Sequence, residues 1–563
     1  MTGAVLQQLR TRENQLFLFA TVILGVLAGL AAVLFTLSIE RTTYVLFGVA
    51  PSAYRLLLVP ALVGLLTGVL LAKFFPNARG SGVPQTEVAF HLSKGIIPSR
   101  VPIGKFITGV LCVGSGHSMG REGPSVQIGA GIASIVGQWL RLPPDRIQQL
   151  VPVAAAAALS AAFNTPVAAV LFALEEIIGD LNAGVIGPAV IASVTAVIVE
   201  RSILGSQPLF RVPQYHLVSP GELAGYALLG ILGGIVSLAF CKGLLFTRSL
   251  FFRMPKTTVV LQPAIGGALI GVILIGFPQV MGVGYEYVDQ ALNGGLVLKT
   301  MALLCAAKLV ATIISYASGN SGGIFAPSLF LGAMAGGTVG SIVHRLAPLS
   351  TGDPGAYALV GMGAVFAGII RAPMTSVFMI FELTQDYQIL VPLMVSNLLS
   401  FLISKYYQPM PIYRALLEQD LITLPDPEIR VRSSSARAKD LMSPNIVCIS
   451  PELSIEAVRN AIAGNDSLTV LIGNNESPVG IIGRAEIEKA LQSGKGKEPV
   501  RVLQLSTNLP HIFPDDPIDL ALERLAHAQG GLLVLSRTGH DVQGIITRET
   551  VMNFIGTGSS ITS

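Results

Sequence analysis

Charge is what this chain has least of. Asp, Glu, Lys and Arg make up 12% of its 563 residues, well below the roughly 25% of an ordinary soluble domain, so a fold that meets water on every side is excluded. The few charges nearly balance: a formal net charge of +4 over this length excludes a nucleic-acid-binding surface. Cysteine is scarce as well. Cys112, Cys241, Cys305 and Cys448 lie far apart, three of them within apolar runs, a pattern that fits neither a disulfide framework nor a metal site. Buried thiols are the expectation.

What is there is apolar: 51% of residues are hydrophobic and 60 are glycine. Apolar runs of about 18 to 28 residues recur from "QLFLFATVILGVLAGLAAVLFTLSI" (15–39) to "ILVPLMVSNLLSFLIS" (389–404), giving roughly ten to twelve candidate membrane segments. The chain reads as a multi-pass protein of the lipid bilayer, with a prokaryotic inner (plasma) membrane as the expected location. The first run is too long for a signal-peptide core and is read as a retained span. Arg10 and Arg12 before the first span and Lys405 and Arg414 after the last predict that both ends are cytoplasmic and the number of spans even.

After about residue 409 the character changes. The expected division is a cytoplasmic segment 1–14, a membrane domain 15–417, a polar linker 418–433 and a soluble α/β domain 434–563. That last domain repeats itself, in copies of about 434–495 and 498–563. "SPVGIIGRAEIEKAL" (477–491) matches "DVQGIITRETVMNFI" (541–555), each preceded by a helix-like stretch and an apolar strand, "LTVLIG" and "GLLVLS".

The membrane domain repeats too, in halves of about 15–205 and 219–408. "GHSMGREGPSVQIGAGIASIVG" (116–137), slid by 203 positions, shares nine of 22 residues with "GNSGGIFAPSLFLGAMAGGTVG" (319–340). "NTPVAAVLFALEE" (164–176), slid by 207, lies on "RAPMTSVFMIFEL" (371–383) and pairs Pro166 with Pro373 and Glu175 with Glu382. Paired halves with Gly/Pro-interrupted hydrophobic segments in matching places point to a transporter whose site lies where the halves meet.

The interruptions share one chemistry. "GSGVP" (Gly80, Gly82, Pro84), "GREGP" (Gly120, Gly123, Pro124) and "GIFAP" (Gly323, Pro327) each place proline just before a long helical run. Proline suits the first turn of a helix, where its missing N–H costs nothing. Each motif therefore predicts a helix N-terminus, with unpaired N–H groups and about half a positive charge. Within a membrane such ends are tolerated only around a protein-lined cavity. Three of them converging would hold an anion without any full positive charge, which suits fast release. A stretch without charge, 147–174, then leads to Glu175 and Glu176. Glu175 has a repeat mate and so a structural role. Glu176 faces Leu383 across the repeat, and an ionisable residue there is a functional candidate.

With these residues in view the chain resembles the CLC family of chloride channels and chloride/proton antiporters. The three motifs stand in the family's order, "PIYRALL" (411–417) resembles its last membrane helix, and the C-terminal repeat resembles paired cystathionine-β-synthase (CBS) domains. The resemblance implies an all-α polytopic membrane domain of two inverted repeats of tilted and broken helices, followed by a cytoplasmic α/β CBS pair, in a homodimer. It implies that Ser81 and Tyr413 give hydroxyls to a central chloride, with the backbone amides of Ile324 and Phe325 opposite. Serine in the first motif is the family's chloride-type residue, where proline would suggest nitrate. Glu122 corresponds to the gating glutamate and Glu176 to the internal proton-transfer glutamate.

The expected activity is chloride/proton antiport, with a passive voltage- or pH-gated chloride channel as the alternative. An intramembrane hydrolase built on Glu175 and Glu176 is disfavoured, because no nucleophile–base pair accompanies them. His117 is expected to be a packed or hydrogen-bonded histidine. In the CBS pair, the ribose-holding pattern is split: Gly483 and Glu486 in the first copy, Thr547 and Thr550 in the second. An adenine nucleotide held through Glu486 and Thr547 thus stands beside a purely structural or gating role, and no other cofactor or metal is implied.

Overall fold

The computed structural model describes residues 2–424 apart from 182–183, 206–208, 211, 213–214, 216–217 and 385–386; beyond that it describes 437–443, 446, 448–462, 469–473, 478–503, 510–526, 531–536, 541–547, 550–551 and 554. The chain forms two compact units, Met1–Leu424 and Pro425–Ser563. Most of the linker expected at 418–433 lies outside the described residues.

The first unit is helical, and its helices fall into two series. The first runs α1 (Thr2–Phe47), α2 (Ala53–Lys73), α3 (Val83–Leu92), α4 (Arg100–Gly114), α5 (Glu122–Trp139), α6 (Pro144–Phe163), α7 (Pro166–Phe172) and α8 (Ile186–Leu204). The second repeats it as α9 (Glu222–Phe252), α10 (Gln262–Gly276), α11 (Tyr285–Leu292), α12 (Leu298–Ala317), α13 (Phe325–Leu346), α14 (Pro354–Ile370), α15 (Pro373–Thr384) and α16 (Leu390–Tyr407). A short helix, α17 (Ile412–Gln419), follows.

Among the described residues eight helices are long and apolar enough to cross a membrane, and three apolar helices of 10–17 residues accompany them. The ten to twelve segments expected from the sequence are thus reached only by counting helices too short to span alone. The unbroken apolar run at 147–174 is two helices. Asn164, with φ +60°, ends α6, and Pro166 opens α7. Its repeat mate Arg371, with φ +73°, ends α14 before Pro373 opens α15. An asparagine tolerates the left-handed region fairly well and an arginine less so, so the break comes from the fold rather than from local preference.

Packing between helices relies on close backbone approach, as expected where the solvent is lipid and apolar burial alone gives no drive. A Cβ on Gly129 of α5 would sit 2.4 Å from the Ala154 carbonyl of α6, and one on its repeat mate Gly332 of α13 would sit 2.2 Å from the Gly361 carbonyl of α14. The mates α2 and α10 cross each other: a Cβ on Gly64 would sit 2.5 Å from the Pro263 carbonyl and one on Gly267 would sit 2.1 Å from the Pro60 carbonyl. Equivalent contacts traded across the pair are what a pseudo-two-fold axis between the halves requires.

The second unit holds two small mixed sheets. β1 (Cys448–Ile449) runs parallel to β2 (Thr469–Gly473), which pairs antiparallel with β3 (Pro478–Gly483). β4 (His511–Ile512), β5 (Leu532–Leu535) and β6 (Val542–Ile546) repeat the order. Leu471 opposite Ile481 matches Leu533 opposite Ile545 in register. These four and Val542 form one buried cluster, so the copies share a core worth roughly 1.5–3 kcal/mol per aliphatic side chain. The four cysteines are free thiols, with Cys112 and Cys241 buried, Cys305 partly so and Cys448 exposed.

Gly361→Ala is expected to lower the thermal unfolding midpoint of the detergent-solubilised protein, because its Cβ meets backbone atoms of α13, a crowding cost of about 1–3 kcal/mol. Gly187→Ala, where nothing lies within 4 Å, is the control and should leave the midpoint unchanged.

Candidate ion-transport site

The three Gly/Pro motifs become the starts of α3, α5 and α13, and the backbone brings them together. Gly120 N–H donates to the Gly323 carbonyl and Gly323 N–H to the Gly120 carbonyl, both at 2.8 Å. Gly80 N–H donates to Asn320 C=O and Gly322 N–H to Gly80 C=O, both at 3.1 Å. Two glycines make this possible. Gly82 has φ +111° and lies where a Cβ would meet the Gly123 carbonyl at 2.4 Å; a Cβ on Gly123 would meet the Ser81 hydroxyl at 2.6 Å. The Gln85 side chain accepts from Gly82 N–H at 2.8 Å and so caps α3.

Two buried lysines hold the surrounding loops. Lys105 on α4 donates to the carbonyls of Ala78 (2.9 Å) and Gly80 (2.6 Å). Lys308 on α12 donates to those of Val280 (3.1 Å), Gly282 (2.7 Å) and Val283 (3.2 Å). They are repeat mates, 203 positions apart. Both amines are committed to backbone carbonyls of the loops before α3 and α11, and Lys308 is an electrostatic neighbour of Glu122.

Within this frame the structure gathers Ser81, Glu122, Ile324, Phe325 and Tyr413, all fully buried or nearly so. The hydroxyls of Ser81 and Tyr413 lie within interaction range of each other, and neither reaches hydrogen-bond geometry with any other group. The N–H groups of Ile324 and Phe325 are leading donors of α13, whose first intrahelical bond runs from Ser328 N–H to Ile324 C=O. Phe325 sends its ring into a cluster with Phe163 (5.0 Å), Phe172 (5.6 Å) and Phe366 (4.4 Å). Orphaned donors in a buried place are costly unless something accepts from them. An anion would.

Glu122 opens α5. Its Oε1 accepts from the Tyr285 hydroxyl at 2.5 Å; its Oε2 has no hydrogen-bond partner and fills the space that a side chain on Gly120 would need. Arg121 does not take up the carboxylate. It lies 3.9 Å from Glu40 and stacks over the Tyr285 ring at 5.7 Å. His117 is buried and shares a 3.1 Å hydrogen bond with the Ser115 hydroxyl.

The neighbouring carboxylates separate in role. Glu175 accepts from Met374 N–H (3.1 Å), Thr375 N–H (2.8 Å) and the Thr375 hydroxyl (2.7 Å), capping α15. Glu382 does the same for α7, accepting from Val167 N–H (3.0 Å) and Ala168 N–H (2.8 Å). Each half thus caps a helix of the other. Glu176 makes no such cap. It is half-buried in a π-helical turn, Ala173–Ile178, acted on by the charges of Arg414, Glu175 and Arg371 and an electrostatic neighbour of Tyr413.

Lys105, Lys308 and Tyr285 were not singled out from the sequence, although a signal existed. "FPNARGSGVP" (75–84) slid by 202 lies on "FPQVMGVGYE" (277–286), sharing Phe, Pro and both motif glycines. In the CBS pair the Thr547 hydroxyl accepts from Thr550 N–H at 3.2 Å and the Thr550 hydroxyl from Thr547 N–H at 2.9 Å, a local helix cap. The side chain of Glu486 lies outside the described residues.

Buried helix N-termini converging between two repeats define a polytopic ion-transport protein. A family model described as "Voltage gated chloride channel" matches residues 63–405, and one described as "CBS domain" matches 438–493 and 501–557. The chain belongs to the CLC family. It is 31% identical over 418 residues to the H(+)/Cl(-) exchange transporter ClcA of Vibrio campbellii, covering 72% of this chain and 89% of that protein. The protein named "Putative chloride channel protein ClcB-like" of Ralstonia nicotianae is 34% identical over 344 residues, covering 60% of this chain and 80% of that protein. Among solved structures, that of a slow cyanobacterial Cl-/H+ antiporter is similar with TM-score 0.67 and 28% identity, over 72% of this chain and 98% of that one. A eukaryotic CLC transporter shares the fold with TM-score 0.63 and 21% identity, over 95% and 97%.

Because the two caps are equivalent, Glu175→Ala and Glu382→Ala should destabilise the protein similarly, by about 0.5–2 kcal/mol each. Thermal unfolding in detergent measures this, and Glu175→Gln, which keeps an acceptor, should cost less.

Proposed function

We propose that this chain exchanges chloride for protons across a membrane, with Ser81, Tyr413 and the amides of Ile324 and Phe325 holding the anion. The observation that carries the reading is the pair of buried hydroxyls, which reach hydrogen-bond geometry with no group but each other, beside the start of α13, whose N-cap Ile324 has no side-chain cap. A chloride there receives neutral O–H and N–H donors and helix-end partial charge, each helix end contributing about 0.3–2 kcal/mol. These offset desolvation, which for an isolated ion in a low dielectric costs tens of kcal/mol. No contact to a lysine ammonium is required, so the ion can leave.

Glu122 is the gate in this reading. Ionised, its carboxylate competes with chloride for the α5 and α13 ends; protonated, it loses its attraction to them and swings away. Glu176 is the proton's entry on the other branch. The contrast with Glu175 supports this: Glu175 is fully occupied as a cap, whereas Glu176 stands uncapped near Tyr413. The passive channel remains the second reading, favoured by the channel name of the Ralstonia relative.

Reconstituted vesicles with an imposed chloride gradient decide between the two. Antiport drives protons uphill, and a channel passes chloride alone. Glu122→Gln is expected to keep anion flux and lose proton coupling. Glu176→Ala should abolish proton movement while chloride still crosses, and uphill proton pumping by that variant would remove Glu176 from the mechanism. Ser81→Pro, which replaces a hydroxyl donor with a residue that has none, should shift the chloride/nitrate flux ratio towards nitrate.

A further inference from the structure

We infer that Tyr285 is the positioning residue that latches Glu122 in its anion-displacing pose, and that the opening of this one hydrogen bond sets the exchange rate. The inference rests on reading Glu122 as the gate and adds what holds the gate shut.

Apart from Tyr285, the carboxylate is met by hydrogen-bond donors of the backbone alone, which any residue at those positions would supply. Its Oε2 lacks a hydrogen-bond partner, and its remaining polar neighbours are its own amide and that of Ala326. The Tyr285 hydroxyl at 2.5 Å lies in the range of an O–H donor to an ionised oxygen, which is about twice as strong as a neutral pair. The charged groups acting on Glu122 are Arg121 and Lys308, and both have partners elsewhere.

The phenol, by contrast, is clamped. Its ring meets Phe210 edge-on at 5.3 Å and Phe163 at 6.4 Å, with Arg121 over its face at 5.7 Å. Tyr285 is the first residue of α11, so its Cα is fixed by Gly284, whose φ is +81°, and by the Val280, Gly282 and Val283 carbonyls that Lys308 gathers. When the bond breaks, the carboxylate moves and the phenol stays.

The repeat sharpens the point. The residue that occupies this place in the first half is Val83, first in α3 after Gly82, and valine has nothing to donate. The hydroxyl is therefore not part of the scaffold that the halves share. Glu122 itself faces Phe325 across the repeat, so donor and acceptor are both departures from symmetry, and they meet.

The test is chloride-driven proton transport in vesicles. Tyr285→Phe removes one oxygen and keeps the ring packing, and should raise turnover about tenfold, the scale of one hydrogen bond to a charged group, with the proton/chloride ratio unchanged. In a Glu122→Ala background, read by chloride flux, Tyr285→Phe should bring no gain. 3-Fluorotyrosine at 285, a stronger donor that preserves the fold, should slow turnover, a reversal that a packing role would not produce. Unchanged or slower turnover in Tyr285→Phe overturns the latch, as does the same gain without Glu122 or faster turnover with fluorotyrosine. Proton pumping that survives Glu122→Ala alone overturns the gate assignment, and the latch with it.

Discussion

Two backbone hydrogen bonds between Gly120 and Gly323 pin the starts of α5 and α13 head to head, and the centre of the protein depends on them. A helix start carries N–H groups with no partner in their own helix, and in lipid each unsatisfied group costs several kcal/mol. The paired glycines stand just before the N-caps Arg121 and Ile324, so their bonds hold the two starts together and leave the first-turn donors of both helices free of them. What remains unsatisfied is not an error of packing. In the proposed reading it is what an anion would bind.

That arrangement has to be braced from outside, and the lysines explain how. A charge buried alone would be prohibitive. Lys105 and Lys308 are instead surrounded by two and three carbonyls, which satisfies most donors of each ammonium. The same bonds occupy the carbonyls of the loops before α3 and α11 with donors.

The large features were legible in the sequence because they rest on backbone chemistry that glycine and proline announce. The motifs at 80–84, 120–124 and 323–327 are helix starts, and the pairing of Glu175 with Glu382 is a reciprocal cap. The count of spans was less legible, since hydropathy does not see that α6 stops at Asn164 and α7 restarts at Pro166. Tyr285 was hidden because "GVGYE" lacks the proline of its counterpart "GSGVP". Lysines in apolar runs give no local hint of which carbonyls they will reach.

Residues that match between the halves do the same mechanical work twice: Gly129 and Gly332 at helix crossings, Lys105 and Lys308 behind the loops, Glu175 and Glu382 at the caps. The chemistry sits where the match fails. Ser81 faces Val283, Glu122 faces Phe325, Glu176 faces Leu383 and Val83 faces Tyr285. A symmetric scaffold by itself would offer an anion two equivalent ends and no reason to exchange it for anything. Placing the Glu122 carboxylate and its Tyr285 donor in different halves makes their contact depend on both, so a change in how the halves meet is felt directly at Glu122.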